Sequence, residues 1–263
     1  LLEFSEYFTS LLNNRSSSKF MATLDTAQTP NIIPVFSLES WDRSTAIFGE
    51  YLMWKSKRNL QTVPRAGLLA VLDRTQCGMA ICDFDGFEES GQYMEALQKN
   101  SIPVCSNSAD WQGYRNAGRL NYVKSWTMTL TNGSIYLKKL IQLRLCHSRS
   151  SKAATAMPIS VFRRLNKSDS IKTLAFVGGD GYPLAFPAFP MIAPDRRTIL
   201  FSLSHLPTRP ADGQSVAVCV LSADNVAYQL KGKFHPLRNS RGLIEISEVF
   251  TACPPLCGEK IGG

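Results

Sequence analysis

Residues 19–48 read KFMATLDTAQTPNIIPVFSLESWDRSTAIF, and residues 172–201 read KTLAFVGGDGYPLAFPAFPMIAPDRRTILF. The two stretches align without a gap at a constant spacing of 153 residues. Nine of thirty positions are identical: Lys19/Lys172, Ala22/Ala175, Pro30/Pro183, Pro34/Pro187, Phe36/Phe189, Asp42/Asp195, Arg43/Arg196, Thr45/Thr198 and Phe48/Phe201. Composition alone gives about two such matches. Apolar pairs such as Met21/Leu174, Leu24/Val177 and Ile47/Leu200 fill much of the rest. Self-similarity at this period means one structural unit used twice.

Working outward, Gly67–Leu72 matches Ser215–Leu221 at a spacing near 149, and Gly118–Lys124 matches Gly242–Glu248 at 124. These shifts locate the differences between the copies. The second copy is shorter directly after Phe201, where Ser202–Gly213 carries two prolines and leaves little room for a helix. It also lacks an excursion present at Asp85–Asp110.

The local pattern is strand-rich. Phe20–Leu24, Pro30–Leu38, Ala46–Glu50, Gly67–Leu72, Met79–Phe84 and Gly118–Trp126 read as strands, rich in β-branched and aromatic residues. Leu1–Arg15, Lys55–Thr62, Glu88–Lys99 and Ser134–His147 read as helices, the last basic and amphipathic, a docked linker. Domain limits follow at 1–130, a linker at 131–151, and 152–263. Asp42-Arg43 and Asp195-Arg196 recur in both copies and read as structural turns.

The totals exclude several classes. In 263 residues, 44% are hydrophobic and 19% charged, an ordinary globular composition. No apolar run approaches the roughly 18 residues of a membrane span, and the first residues are expected to form an amphipathic helix rather than a signal peptide. Seven cysteines at irregular spacing suit reduced thiols in a cytoplasmic protein. Cys253-Pro-Pro-Leu-Cys257 lacks a second ligand pair, so no metal site is expected, and the Asn132-Gly-Ser134 sequon carries little weight there. The net charge of +8 is dispersed, which fits an anionic cofactor or substrate better than nucleic acid. Neither nucleic acid nor membrane is expected as a partner. No Ser–His–Asp or Cys–His set is legible among His147, His205 and His235, so no catalytic side chain is assigned.

One segment has no counterpart in the second copy: Phe48-Gly-Glu-Tyr-Leu-Met-Trp-Lys-Ser-Lys-Arg-Asn-Leu60. It leads from a strand into a helix that opens with Lys55, Ser56, Lys57 and Arg58. A helix N-terminus presents free N–H groups and the positive end of its dipole, so this is a candidate phosphate site. Met53 and Trp54 can flank a ring system or belong to the core.

Residues 19–72 resemble the pyridoxamine 5′-phosphate oxidase-like family, through KFMATLD…TPNIIPVFSL, AIFGEYLMWKSKRNL and VPRAGLLAVL. Lys172–Val249 resembles the same fold more loosely. The resemblance implies a mainly β fold with flanking helices (α+β): two tandem split β-barrels joined by a helix. It implies FMN, with Pro34, Val35, Phe36 and Ser37 along the isoalloxazine. The family's Ser-Arg-Lys falls on Trp54-Lys55-Ser56, so Lys55 keeps the Arg role and Lys57 or Arg58 supplies the second charge. Arg115, before a strand, can close over the cofactor or belong to a plain turn. The substrate-phosphate arginines of true pyridoxamine phosphate oxidases have no counterpart, and that activity is not expected. The expected function is a flavin-dependent oxidoreductase with a small-molecule substrate or electron donor. A non-catalytic flavin or haem carrier or sensor is the alternative, and a deazaflavin the alternative flavin. Barrels of this kind pair, here as a homodimer or as an intrachain pseudo-dimer.

Overall fold

The computed structural model describes residues 3–73, 76–100, 113–129, 133–145, 155–204, 206–254 and 256–262. Leu1, Asp110, Asn132, His147 and His205, named above, lie outside them.

Helix α1 (Glu6–Asn13) opens the chain, with Ser5 as its cap: Phe8 N donates to Ser5 Oγ at 3.2 Å. It is shorter than the sequence pattern suggests, and Phe8, Leu11 and Leu12 face inward while Tyr7 stays at the surface. The strands β1 (Ser18–Leu24), β2 (Pro30–Pro34), β3 (Glu39–Ser40), β4 (Thr45–Gly49), β5 (Arg65–Val71), β6 (Gln76–Glu88) and β7 (Ala117–Thr129) follow. Helix α2 (Trp54–Thr62) connects β4 to β5, and α3 (Gln92–Lys99) lies between β6 and β7. After α4 (Gly133–Arg144) come α5 (Ile159–Asn166), β8 (Ile171–Val177), β9 (Pro183–Pro187), β10 (Met191–Ile192), β11 (Thr198–Ser202), β12 (Ser215–Leu221), β13 (Ala227–Leu237), β14 (Arg241–Thr251) and β15 (Lys260–Gly262).

The strands form two antiparallel sheets of the same order: β2-β1-β5-β6-β7-β4-β3 and β9-β8-β12-β13-β14-β11-β10, with β15 added beside β14. The architecture is mainly β with flanking helices, two tandem split β-barrels with a helix between them. Registers repeat as well. Phe20 pairs with Leu69 as Thr173 pairs with Cys219, and Phe48 pairs with Gly118 as Phe201 pairs with Gly242. Both glycines leave room for phenylalanine rings: a Cβ at Gly118 would run into Phe48, and one at Gly242 into Phe201 and Phe234.

The repeat begins earlier than the sequence alignment showed. Helices α1 and α5 stand at the same 153-residue spacing. Asn13 Oδ1 accepts from Ser40 N at 2.9 Å, and Asn166 Oδ1 accepts from Ala193 N at 3.0 Å, equivalent bonds in the two copies. The aspartate turns recur too. Asp42 Oδ1 accepts from the backbones of Ser44 and Thr45, and Asp195 Oδ1 from those of Arg197 and Thr198.

Three expected boundaries move. The strand expected at Pro30–Leu38 ends at Pro34, because Leu38 N bonds back to Val35 O at 3.2 Å in a turn. Strand β6 runs on to Glu88 through two register shifts against β7, so α3 starts only at Gln92. Helix α4 docks on β10 and β11, burying Leu143 against Ile192, Leu200 and Leu243.

Alternate residues of the central strands serve two cores, as the two-residue strand period requires. Met21, Leu68 and Ala70 pack inside the first barrel with Phe8, Leu12, Phe48 and Leu60. Phe20, Leu69 and Val71 point the other way, into a core continuous with Leu174, Phe186, Val218 and Leu230 of the second sheet. Each fully buried side chain of this kind contributes about 1.5–3 kcal/mol. The contacts between sheets are reciprocal: β5 lies on β9 as β12 lies on β2, and β1 meets β9 as β8 meets β2. This is the pattern of a two-fold self-complementary interface, within one chain. Gln229 Nε2 crosses it to Ile32 O at 2.7 Å, both buried.

Candidate functional site: a cavity between the sheets

Helix α2 is pinned by its inner face. Ser56, Asn59 and Leu60 are buried. Asn31 Nδ2 of β2 donates to Ser56 Oγ at 2.9 Å, and Asn59 Nδ2 donates to Thr23 Oγ1 of β1 at 3.0 Å. At the repeat spacing, Asn31 and Thr23 correspond to Leu184 and Phe176. The second copy has lost the polar anchors together with the helix.

The helix begins at Met53, with no side-chain cap on its first N–H groups. That end borders a cavity of about 250 Å³. One side is the turn after β2, formed by Pro34, Val35, Phe36 and Ser37. A second side is the helix start, with Met53, Trp54, Lys55 and Ser56. The second half closes it with Gln229, Phe250, Cys253 and Cys257. The walls are mainly apolar, with a few polar groups among them, the usual make-up of a small-molecule site.

Eight of the residues singled out from the sequence therefore meet at one cavity. Three do not line it. Lys57 turns to Glu50, with Nζ 2.8 Å from Oε2. Glu50 is buried and also accepts from Asn116 Nδ2. Arg58 is exposed on the outer face of α2. Arg115 lies over the Trp54 ring, its Cζ 4.3 Å from the centroid, a cation–π contact that holds the indole at the rim.

Sequence reasoning did not find Lys231, on β13. It is buried at 4% exposure, and the Lys55 ammonium lies beside it. Burial first, and then the Lys55 charge, push the Lys231 ammonium down to about 8, against weaker pulls from Asp25 and Glu248. Lys55 Nζ also sits 4.7 Å above the Phe250 ring. Pairing places Lys231 and Gln229 where the first copy has Ile81 and Met79. The polar pair faces the copy that owns α2, and the apolar pair faces the copy that lacks it. That difference between aligned strands was the available signal.

Two cations and an uncapped helix start are the groups that a bound anion would need. No family model matches the sequence, and no curated protein matches it. Among solved structures, the chain is similar to an FMN-binding protein from Syntrophomonas wolfei, at 20% identity and a TM-score of 0.42, covering 48% of this chain and 87% of that one. It is similar to HupZ of Group A Streptococcus, at 20% identity and a TM-score of 0.39, covering 49% and 99%. It is also similar to HutZ, the heme storage protein of Vibrio cholerae, at 12% identity and a TM-score of 0.34, covering 46% and 92%.

Proposed function

We propose that the chain binds FMN in the cavity between its two sheets and is a flavin-dependent oxidoreductase acting on a small molecule. The observation that carries this reading is Lys55, which lines an apolar cavity at the uncapped start of α2 and interacts with the buried Lys231 of β13 behind it. A phosphate dianion neutralises two cations and accepts from helix N–H groups. The apolar walls suit a planar ring, and the Pro34–Ser37 turn offers backbone groups to its polar edge. FMN is thus a chemical fit to the residues present.

Bound flavin supplies the hydride or electron transfer. The chain's own residues anchor the phosphate, orient the ring and keep water from its face. Lys57 acts indirectly, holding Glu50 and so the entry to α2. The two barrels pair within the chain in this reading, because the second half completes the cavity.

Among the described residues no histidine lines the cavity, and His235 is bound to exposed Asp212 at 2.8 Å instead. Anaerobic addition of NAD(P)H to the FMN-loaded protein tests the enzymatic part. Bleaching of the yellow colour is expected. A colour that persists with both nicotinamide donors would leave a flavin carrier as the reading.

A further inference from the structure

A second cavity, of about 580 Å³, lies across the Phe36–Ser37 turn from the first and shares Phe36, Ser37 and Tyr114 with it. Its lining is polar, with five serines (Ser16, Ser17, Ser18, Ser37 and Ser40) and with Asn13, Asn100 and Asn225. Lys19 and Arg15 bring positive charge, and Glu39 is the single acid among the described lining residues.

The repeat provides an internal control for Lys19. Its equivalent, Lys172, is buried and satisfied: Nζ donates to Lys167 O at 3.0 Å and Met191 O at 3.2 Å. Lys19 is just as buried, at 6% exposure, but its ammonium makes no hydrogen bond or ion pair among the described residues. Two positions before it, Ser17 borders the same cavity, with its Oγ enclosed and without a partner. Burying an ammonium without compensation costs several kcal/mol. The second copy shows that this fold can satisfy the lysine internally, and the first copy leaves it facing a cavity. Burial holds the Lys19 ammonium below its usual range, with Glu39 pulling the other way.

We propose that this cavity binds a small hydroxylated anion, its charged group on Lys19 and its hydroxyls among the exposed serines and asparagines. The site stands on its own geometry and does not depend on the flavin reading. A phosphate and a carboxylate both satisfy a lysine and a hydroxyl, so the probes separate them.

Calorimetric titration of the full chain with ribose 5-phosphate, gluconate and neutral ribose tests the site. One of the two anions is expected to bind at least tenfold tighter than ribose, and the better one identifies the charged group. Lys19→Met should weaken it by about tenfold or more and leave Tm unchanged or higher, since a costly buried charge is removed. Lys172→Met, which strips two carbonyls of their donor, should lower Tm. Failure of both anions to exceed ribose would overturn the proposal. So would unchanged binding in Lys19→Met, or a fall in its Tm as large as that of Lys172→Met.

Discussion

The ammonium of Lys55, at the start of α2, lies beside that of Lys231, on β13 of the other sheet, and Lys231 is almost wholly buried. Like charges so placed repel, and the repulsion is strongest where water is excluded. The arrangement is costly to the empty protein and favourable to a dianion held between the two halves. It also explains why the repeat is unequal. The helix with its polar anchors Thr23 and Asn31 belongs to one copy, and the polar pair Gln229 and Lys231 to the other.

The lowered Lys231 ammonium links stability to pH. Its folded value of about 8 lies below the unfolded value of 10.5. Between these the unfolded chain holds more protons, so the stability of the empty protein rises with pH across this window. Below about pH 8 both states are protonated and the penalty is complete. The difference in Tm between Lys231→Met and the wild-type protein should therefore shrink from pH 8 to 10. A constant difference would mean that Lys231 is not buried beside a charge.

Lys55 and Lys57 are two residues apart and should behave differently. Lys57 neutralises Glu50, whose side chain is 2% exposed. Removing one partner of a buried pair typically costs about 3–5 kcal/mol. Lys57 itself is partly exposed, so Lys57→Ala should fall toward the low end of that range in denaturant unfolding. Lys55→Ala should leave stability unchanged or higher, since it relieves the repulsion on Lys231, and act on flavin binding instead. Equal stabilities of the two variants would contradict this division.

Gly67 sets the approach of the sheets. A Cβ there would collide with the carbonyl oxygen of Pro183, on β9 of the second sheet. Backbone cannot yield as a flexible side chain does, so Gly67→Ala forces β5 and β9 apart. Overpacking of this kind costs about 1–3 kcal/mol or more. Chemical denaturation should show the loss, and Gly179→Ala, where a Cβ meets nothing nearby and φ is ordinary, separates steric from conformational effects. Gly67→Ala with wild-type stability would contradict the packing of β5 on β9.

Much of this fold is legible because the repeat is legible. The paired strands β1/β8, β2/β9 and β4/β11 keep one spacing, and their apolar pairs mark them as barrel strands. The helices α1 and α5 share that spacing but few identities, since the core asks only for apolar residues at Phe8/Val161 and Leu12/Leu165. The short strands β3 and β10 carry only two residues each, too few for a period to show. In the site, the basic helix start was readable as a local motif. The commitment of Lys57 to Glu50 was not, because a salt bridge leaves no periodic mark. Lys231 was hidden for a different reason: it sits on a strand distant in sequence, and only pairing across the sheets brings it to Lys55.

The direct test of the phosphate site is a fluorescence titration of FMN and of riboflavin, which lacks the phosphate, into the empty protein. Wild-type protein is predicted to bind FMN at least tenfold tighter than riboflavin. In Lys231→Met the gap should largely close, while riboflavin affinity stays the same. Equal wild-type affinity for the two flavins, or an intact gap in Lys231→Met, would contradict the account.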